Sequence, residues 1–210
     1  PGLSSDPAAD EYQTLVPGAR FSNLQEVALA DAPPRSPKPP ATAVTTDLTR
    51  YPTRKGFEDL AMIVNENATP EQPFAWTAAV LGDHVWFSLK NPSDFPATVM
   101  WISNGGRHSA PWKGRHLGRI GLEEVCSYFA ENVTTSRQNL LQEEGIPTTR
   151  CFSADQKVSL RILQAVSSVP SGFGAVASII PKGPEMVSLT SDTGITIDVT
   201  AQWEFVVNPS

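Results

Sequence analysis

Cysteine, histidine and charge are all scarce in this chain. Its 210 residues include two cysteines, three histidines and 18% charged side chains. Cys126 and Cys151 are too few for a disulfide framework, and their spacing fits no zinc pattern. Two buried free thiols are the simpler reading, with one bridge as the alternative in an oxidising compartment. No apolar run approaches the roughly 20 residues needed to cross a bilayer, so no membrane span is expected. Lys and Arg number 16 against 22 Asp and Glu, a net charge of −6. That balance excludes a general nucleic-acid binder, which needs a basic face to displace phosphate counterions. Nothing in the sequence points to a metal or a redox cofactor. The compartment is not assigned by any signal, and an exported one is favoured over the cytoplasm.

Proline is abundant, and its placement divides the chain. "PGLSSDPAAD" at the start and "DAPPRSPKPP" from Asp31 to Pro40 cannot donate ladder hydrogen bonds or continue a helix. Residues 1–50 therefore read as an extended segment, packed on or linked to a larger body, with "ARFSNLQEVAL" able to add one strand. Opening at Pro1 rather than Met, the chain reads as a processed product or a fragment. Asn132-Val133-Thr134 matches a glycosylation acceptor, a triplet too common to carry weight.

From 51 to 210 the pattern is that of strands. "PFAWTAAVL" and "HVWFSLK" flank Gly82-Asp83 and predict a β-hairpin. Val85, Phe87 and Leu89 alternate with polar or amphipathic neighbours, the period of a strand with one buried face. "ATVMWIS" and "GRIGLEEVCSYF" predict two more strands. "KVSLRILQAV", "FGAVASII", "EMVSLT", "GITIDVT" and "QWEFVV" predict a further five. Val158, Leu160 and Ile162 alternate, as do Ile195, Ile197 and Val199. Thr134–Gly145 carries the one good helix signal: a Thr or Ser cap, Leu140 and Leu141 on an edge, and Gly145 with Pro147 as a stop. No internal repeat is present. Many strands at short regular spacing, nearly without helices, predict an all-β fold, a large antiparallel β-sandwich with one short helix.

The chemistry-bearing stretch is "WISNGGRHSAPWKGRH", Trp101 to His116. Asn104, Gly105 and Gly106 allow close backbone approach to a ligand. Arg107, Lys113, Arg115 and Arg119 place four cations within thirteen residues. They are either a solvated loop tip or a ligand-binding set. Trp112 suits the apolar face of a sugar ring or a loop anchor. His108 and His116 can move protons near neutral pH; His84, beside Asp83, reads as a surface residue. In "GLEEV" the adjacent Glu123 and Glu124 must point to opposite faces of a strand. Glu124 shares its face with Leu122 and Cys126 and would need a partner if buried. Glu58 and Asp59 form a further acidic spot with no pattern around it.

The order "IGLEEV", "EEGIPTT", "KVSLRILQ", preceded by a strand ending in an aromatic and a Gly-rich loop, resembles the later part of galactose mutarotase-like (aldose 1-epimerase) proteins. The likeness covers roughly residues 74–205. It implies a β-supersandwich that binds a carbohydrate in its concave face and needs no cofactor. In such proteins a Glu acts as general base on the anomeric hydroxyl and a His protonates the ring oxygen. Carried onto this chain, Glu123 is the base and His108 or His116 the acid. Arg107, Trp112, Arg115, Asn104 and Arg119 hold the substrate. The family's early His and sugar-binding Arg have no counterpart before His84, which implies a missing N-terminal half, a lost acid, or substitution of the acid by His108 or His116.

Two expectations follow. One is isomerase chemistry of the aldose 1-epimerase kind, on a sugar that carries an anion to match the arginines. The alternative is a non-catalytic carbohydrate-binding or structural β-sandwich. A chain with an open sheet edge is also expected to cover it, through a homo-oligomer. The Pro-rich segment Asp31–Pro40 offers a third option, docking on a partner protein in the polyproline mode.

Overall fold

The computed structural model describes residues 2–4, 20–21, 26–28, 45–52 and 54–208. The Pro-rich stretch Asp31–Pro40 and the possibility that it docks on a partner lie outside the described residues. The protein is all-β. Its strands are β1 (Gly2–Ser4), β2 (Arg20–Phe21), β3 (Glu26–Ala28), β4 (Thr45–Asp47), β5 (Glu58–Val64), β6 (Ala75–Leu81), β7 (His84–Lys90), β8 (Ala97–Ser103), β9 (Arg119–Val125), β10 (Ile162–Ser168), β11 (Val176–Pro181), β12 (Met186–Ser191) and β13 (Thr196–Thr200). Every pairing among them is antiparallel. Contacts divide the chain into two units. The first holds residues 1–64 and 97–149, and the second holds 65–96 and 150–210.

In the first unit the strands run in the order β2-β1-β5-β8-β9. Both faces of this sheet are apolar, as the near-continuous runs "LAMIV" and "ATVM" require. Leu60, Met62, Ala97 and Val99 pack on one face with Phe129 and Leu141. Ala61, Met100 and Ile102 pack on the other with Leu48. The segment expected as one helix is split. The α-helix α1 (Val133–Arg137) is capped by Asn132, whose side chain accepts from the Thr135 N–H. Asn139 then turns left-handed at φ 49°. Its side chain accepts from the Thr148 N–H and draws the chain back. A single 3₁₀ turn, Gln142–Glu144, follows, and Gly145 ends it at φ 73°. Leu141 alone of the leucine pair is buried.

The second unit is a small sandwich of two three-stranded sheets, β10-β7-β6 and β11-β12-β13. The Gly82-Asp83 hairpin forms as the sequence predicts, with Gly82 at φ 64°. Val85, Phe87 and Leu89 face Ile179, Val187 and Leu189 in one core. Ile195, Ile197 and Val199 pack against it from the side. Each of the fully buried side chains stabilises the fold by about 1.5–3 kcal/mol, and the partly buried ones by less.

Two strand expectations fail here. "EFVV" forms a second short helix, α2 (Glu204–Val207). Trp203, Val206 and Val207 share one helical face and pack on the core, and Trp203 lies 5.7 Å from Phe74 between ring centroids. The Arg161 guanidinium donates to the carbonyls of Phe205 and Asn208 and holds the helix end. The second failure concerns "KVSLR". Pairing of β10 begins only at Ile162, and residues 150–160 carry no regular ladder and are exposed throughout.

Candidate functional site

The site is built on one face of the first unit's sheet, at the end where β5 begins and β8 stops. Strand pairing sets Glu58 opposite Ser103, Leu60 opposite Trp101, and Trp101 opposite Gly121. Side chains alternate along each strand, so Glu58, Trp101, Ser103, Gly121 and Glu123 share that face. Beyond Ser103 the chain leaves the sheet as a folded loop. Its ends are tied by Asn104, whose N–H donates to the Phe57 carbonyl at 3.1 Å and whose side-chain oxygen accepts from Gly118 N–H at 3.3 Å. Inside the loop, Gly114 N–H donates to the Arg107 carbonyl at 2.7 Å.

Glu58 is the centre of this arrangement. Its side chain is 0% exposed. Oε1 accepts from Ser103 Oγ at 2.9 Å and from Gly106 N–H at 3.1 Å, and Oε2 accepts from Trp101 Nε1 at 2.6 Å. Arg107 Nε stands 3.9 Å from Oε2. A buried carboxylate is tolerated only when its oxygens are met in this way. Gly106 is obligatory for the contact: a Cβ there would lie 2.6 Å from the backbone of both Phe57 and Glu58.

Ser103 links the carboxylate to His116, with Oγ 2.7 Å from Nδ1. Ser103 has a single proton, and a carboxylate can only accept. The serine therefore donates to Glu58 and accepts from His116, which fixes the proton on Nδ1. The His116 ring is stacked on Trp101, 5.3 Å between centroids at 19°, and Trp112 packs 4.8 Å away on the same imidazole. The Arg107 guanidinium covers Trp101 at 5.1 Å.

The order acid–serine–imidazole is not that of a nucleophilic triad. There the imidazole lies between the other two and takes the serine proton. Here Nδ1 already carries a proton toward a fully buried Ser103. The network can hold a loop rigidly; it cannot activate this serine.

The residues expected from sequence are distributed as follows. His116, Trp112 and Arg107 meet around Trp101. Asn104 is buried and closes the loop. His108 lies over Gly114, with Nδ1 3.4 Å from where a Cβ would sit. Arg115 and Arg119 are exposed, and Arg119 donates to the Gly118 carbonyl. Glu123 is exposed on the same side of the sheet as Trp101, its carboxylate folded back over Gly121. Glu124 takes the other face and accepts from Thr98 Oγ1 at 2.6 Å, the partner its apolar surroundings require. His84 is a surface residue, 2.6 Å from Asp83. Cys126 and Cys151 form no disulfide; Cys126 is half-buried and Cys151 exposed, so neither is the buried thiol expected.

Sequence reasoning marked Glu58 only as an acidic spot without a role, and gave none to Ser103 or Trp101. A signal was present: Glu58 is in phase with Leu60 and Met62, so an acid sits on a buried strand face and must find donors. Among the described residues no cluster of His, Cys, Asp and Glu could hold a metal ion, and no helix is long and apolar enough to cross a membrane. No family model matches the chain, and no curated protein or solved structure is detectably similar to it.

Proposed function

We propose that this chain is a non-catalytic structural protein that assembles with further copies of itself through the second unit. One observation carries this reading. Val158, Leu160, Ile162, Gln164 and Val166 form a period-two row, the pattern of a face that should be buried. All are exposed, the four apolar ones at 38, 52, 36 and 63%. The sequence thus encodes a buried row that the chain alone leaves part-exposed at the β10 edge, although Ser88 and Lys90, opposite Gln164 and Ile162 on β7, are fully buried. Leu81, across the same sheet face, is also exposed.

The occupant is a second copy for two reasons. β10 is an edge strand with no further strand beside it among the described residues, so a copy can add antiparallel about a two-fold axis. These five apolar side chains offer about 400 Å², half of the ~800 Å² per partner of a stable interface. The exposed stretch 150–160 beside them can supply the rest. Light scattering over a concentration series tests this reading. The wild type is expected to associate, and V158D/L160D/V166D to remain monomeric with unchanged circular dichroism. A wild type that stays monomeric at every concentration removes the proposal.

Sugar chemistry of the mutarotase kind is the second reading. It is favoured by Glu123 lying on the same side of the sheet as the Trp101–His116 stack. In it Glu123 is the base, His116 or His108 the acid, and Trp112 with Arg107 the platform. Glu123→Gln would then lower turnover of an aldose anomer by about 10²-fold or more. The same turnover in E123Q and wild type would exclude it.

A further inference from the structure

The geometry points to a binding site for a phosphate group at Arg107. Three features of the first unit's loop converge on it. First, the Arg107 guanidinium is placed but only loosely paired, with Glu58 as its counter-charge and no hydrogen bond to it. It lies over Trp101 and faces Glu58 at 3.9 Å, yet Glu58's oxygens are already taken by Ser103, Gly106 and Trp101. Arg107 Nε is buried with no hydrogen-bond partner. A buried N–H without an acceptor is rare, because it forfeits hydration without replacement. The side chain as a whole is 30% exposed, so the outer edge of the fork is open to a ligand.

Second, the position is stiff. Gly106 has no room for a Cβ, and the Arg107 carbonyl is held by Gly114 N–H. Little ordering is left to be lost when an anion arrives. Third, the surroundings are cationic. Lys113 and Arg115 flank Gly114 and no Asp or Glu occurs from Asn104 to Leu122; the exposed acid on this sheet face is Glu123, folded back over Gly121. Glu58, the nearest acid, is enclosed. A planar guanidinium offers parallel N–H donors to an oxyanion. The additional two cations favour the dianion of a phosphate monoester over a carboxylate. This site is independent of the self-assembly face, which lies in the other unit.

Titration calorimetry of the full chain tests it, with inorganic phosphate, glucose 6-phosphate and glucose as probes. Phosphate and the sugar phosphate are expected to saturate, and glucose not. Arg107→Gln should weaken both by about tenfold or more, the worth of charge-assisted hydrogen bonds. Arg137→Gln, which removes an equal charge on α1, should change neither. Should Arg107→Gln perturb folding, K113Q/R115Q, which leaves the buried network untouched, should lower phosphate affinity in its place. Failure of phosphate to bind, equal binding of glucose, or unchanged affinity in both loop variants would overturn the assignment.

Discussion

The two units break the rule of apolar inside and polar outside in opposite ways. The first buries a carboxylate, a hydroxyl and an indole N–H and satisfies all three. The second leaves a row of aliphatic side chains in solvent and satisfies none of them. A buried polar group is costly only when unpaired, so the first arrangement is complete within one chain. An exposed aliphatic row is cheap to keep but has a favourable place to go if a partner covers it. The first unit's exception is thus a device of folding; the second unit's, under the proposal above, is a device of association.

That contrast can be broken by substitution, and the largest effect is expected at Glu58. Glu58→Leu strands three donors and leaves Arg107 without its counter-charge. It should lower unfolding free energy by about 3–5 kcal/mol, measured by chemical denaturation. A loss below about 1 kcal/mol would mean the buried network contributes no more than a surface pair. Next comes Gly106→Ala, whose new Cβ meets backbone rather than a flexible side-chain end. A cost of about 1–3 kcal/mol is expected, as for overpacking. Val166→Ser should do the reverse of both. It should leave monomer stability within about 0.5 kcal/mol while weakening association in a sedimentation experiment. A large loss of monomer stability would show that Val166 is already buried by its own chain.

The smallest effect expected is on acid stability. The hydrogen bond from Lys182, aided by Ser188, holds the Asp198 carboxyl below its usual value of 3.8; Thr49 does the same for Asp47, and His84 for Asp83. A carboxylate lowered in the folded state contributes stability above its unfolded value, and that contribution fades as pH falls through the folded one. Melting temperature should therefore drop as pH is taken below about 3.8, and D198N should flatten part of that drop. All three are surface groups, so each change is slight. An acid limb identical in D198N and wild type would show that the Lys182 contact contributes nothing.

Much of the fold was legible in order. The hairpin at Gly82-Asp83, the alternation of Val85, Phe87 and Leu89, and the set Ile195, Ile197 and Val199 all pack as their period demands. These are short-range signals, written in neighbouring residues. Where the reading failed, a distant contact had prevailed over a local preference. "EFVV" has strand propensity, but the core lies on the 203, 206, 207 side, a helical spacing. The 134–145 helix is divided because Asn139 turns back to meet Thr148. Period two is present at Val158, Leu160 and Ile162, yet all three stay exposed.

For the loop, composition alone named Arg107, Trp112 and His116 but not the residue that holds them. Glu58 precedes Ser103 by 45 positions. Pairing of β5 with β8 sets the two side by side. By itself the sequence determined that the chain is antiparallel β, acidic overall, and cationic in one Gly-rich loop, since propensity, alternation and charge are local properties. Only the tertiary structure decided which acid is buried beneath that loop, which arginine is only loosely paired with it, and which alternating row is left facing water. Those depend on strand register, and register is set by the packing of residues far apart in the chain.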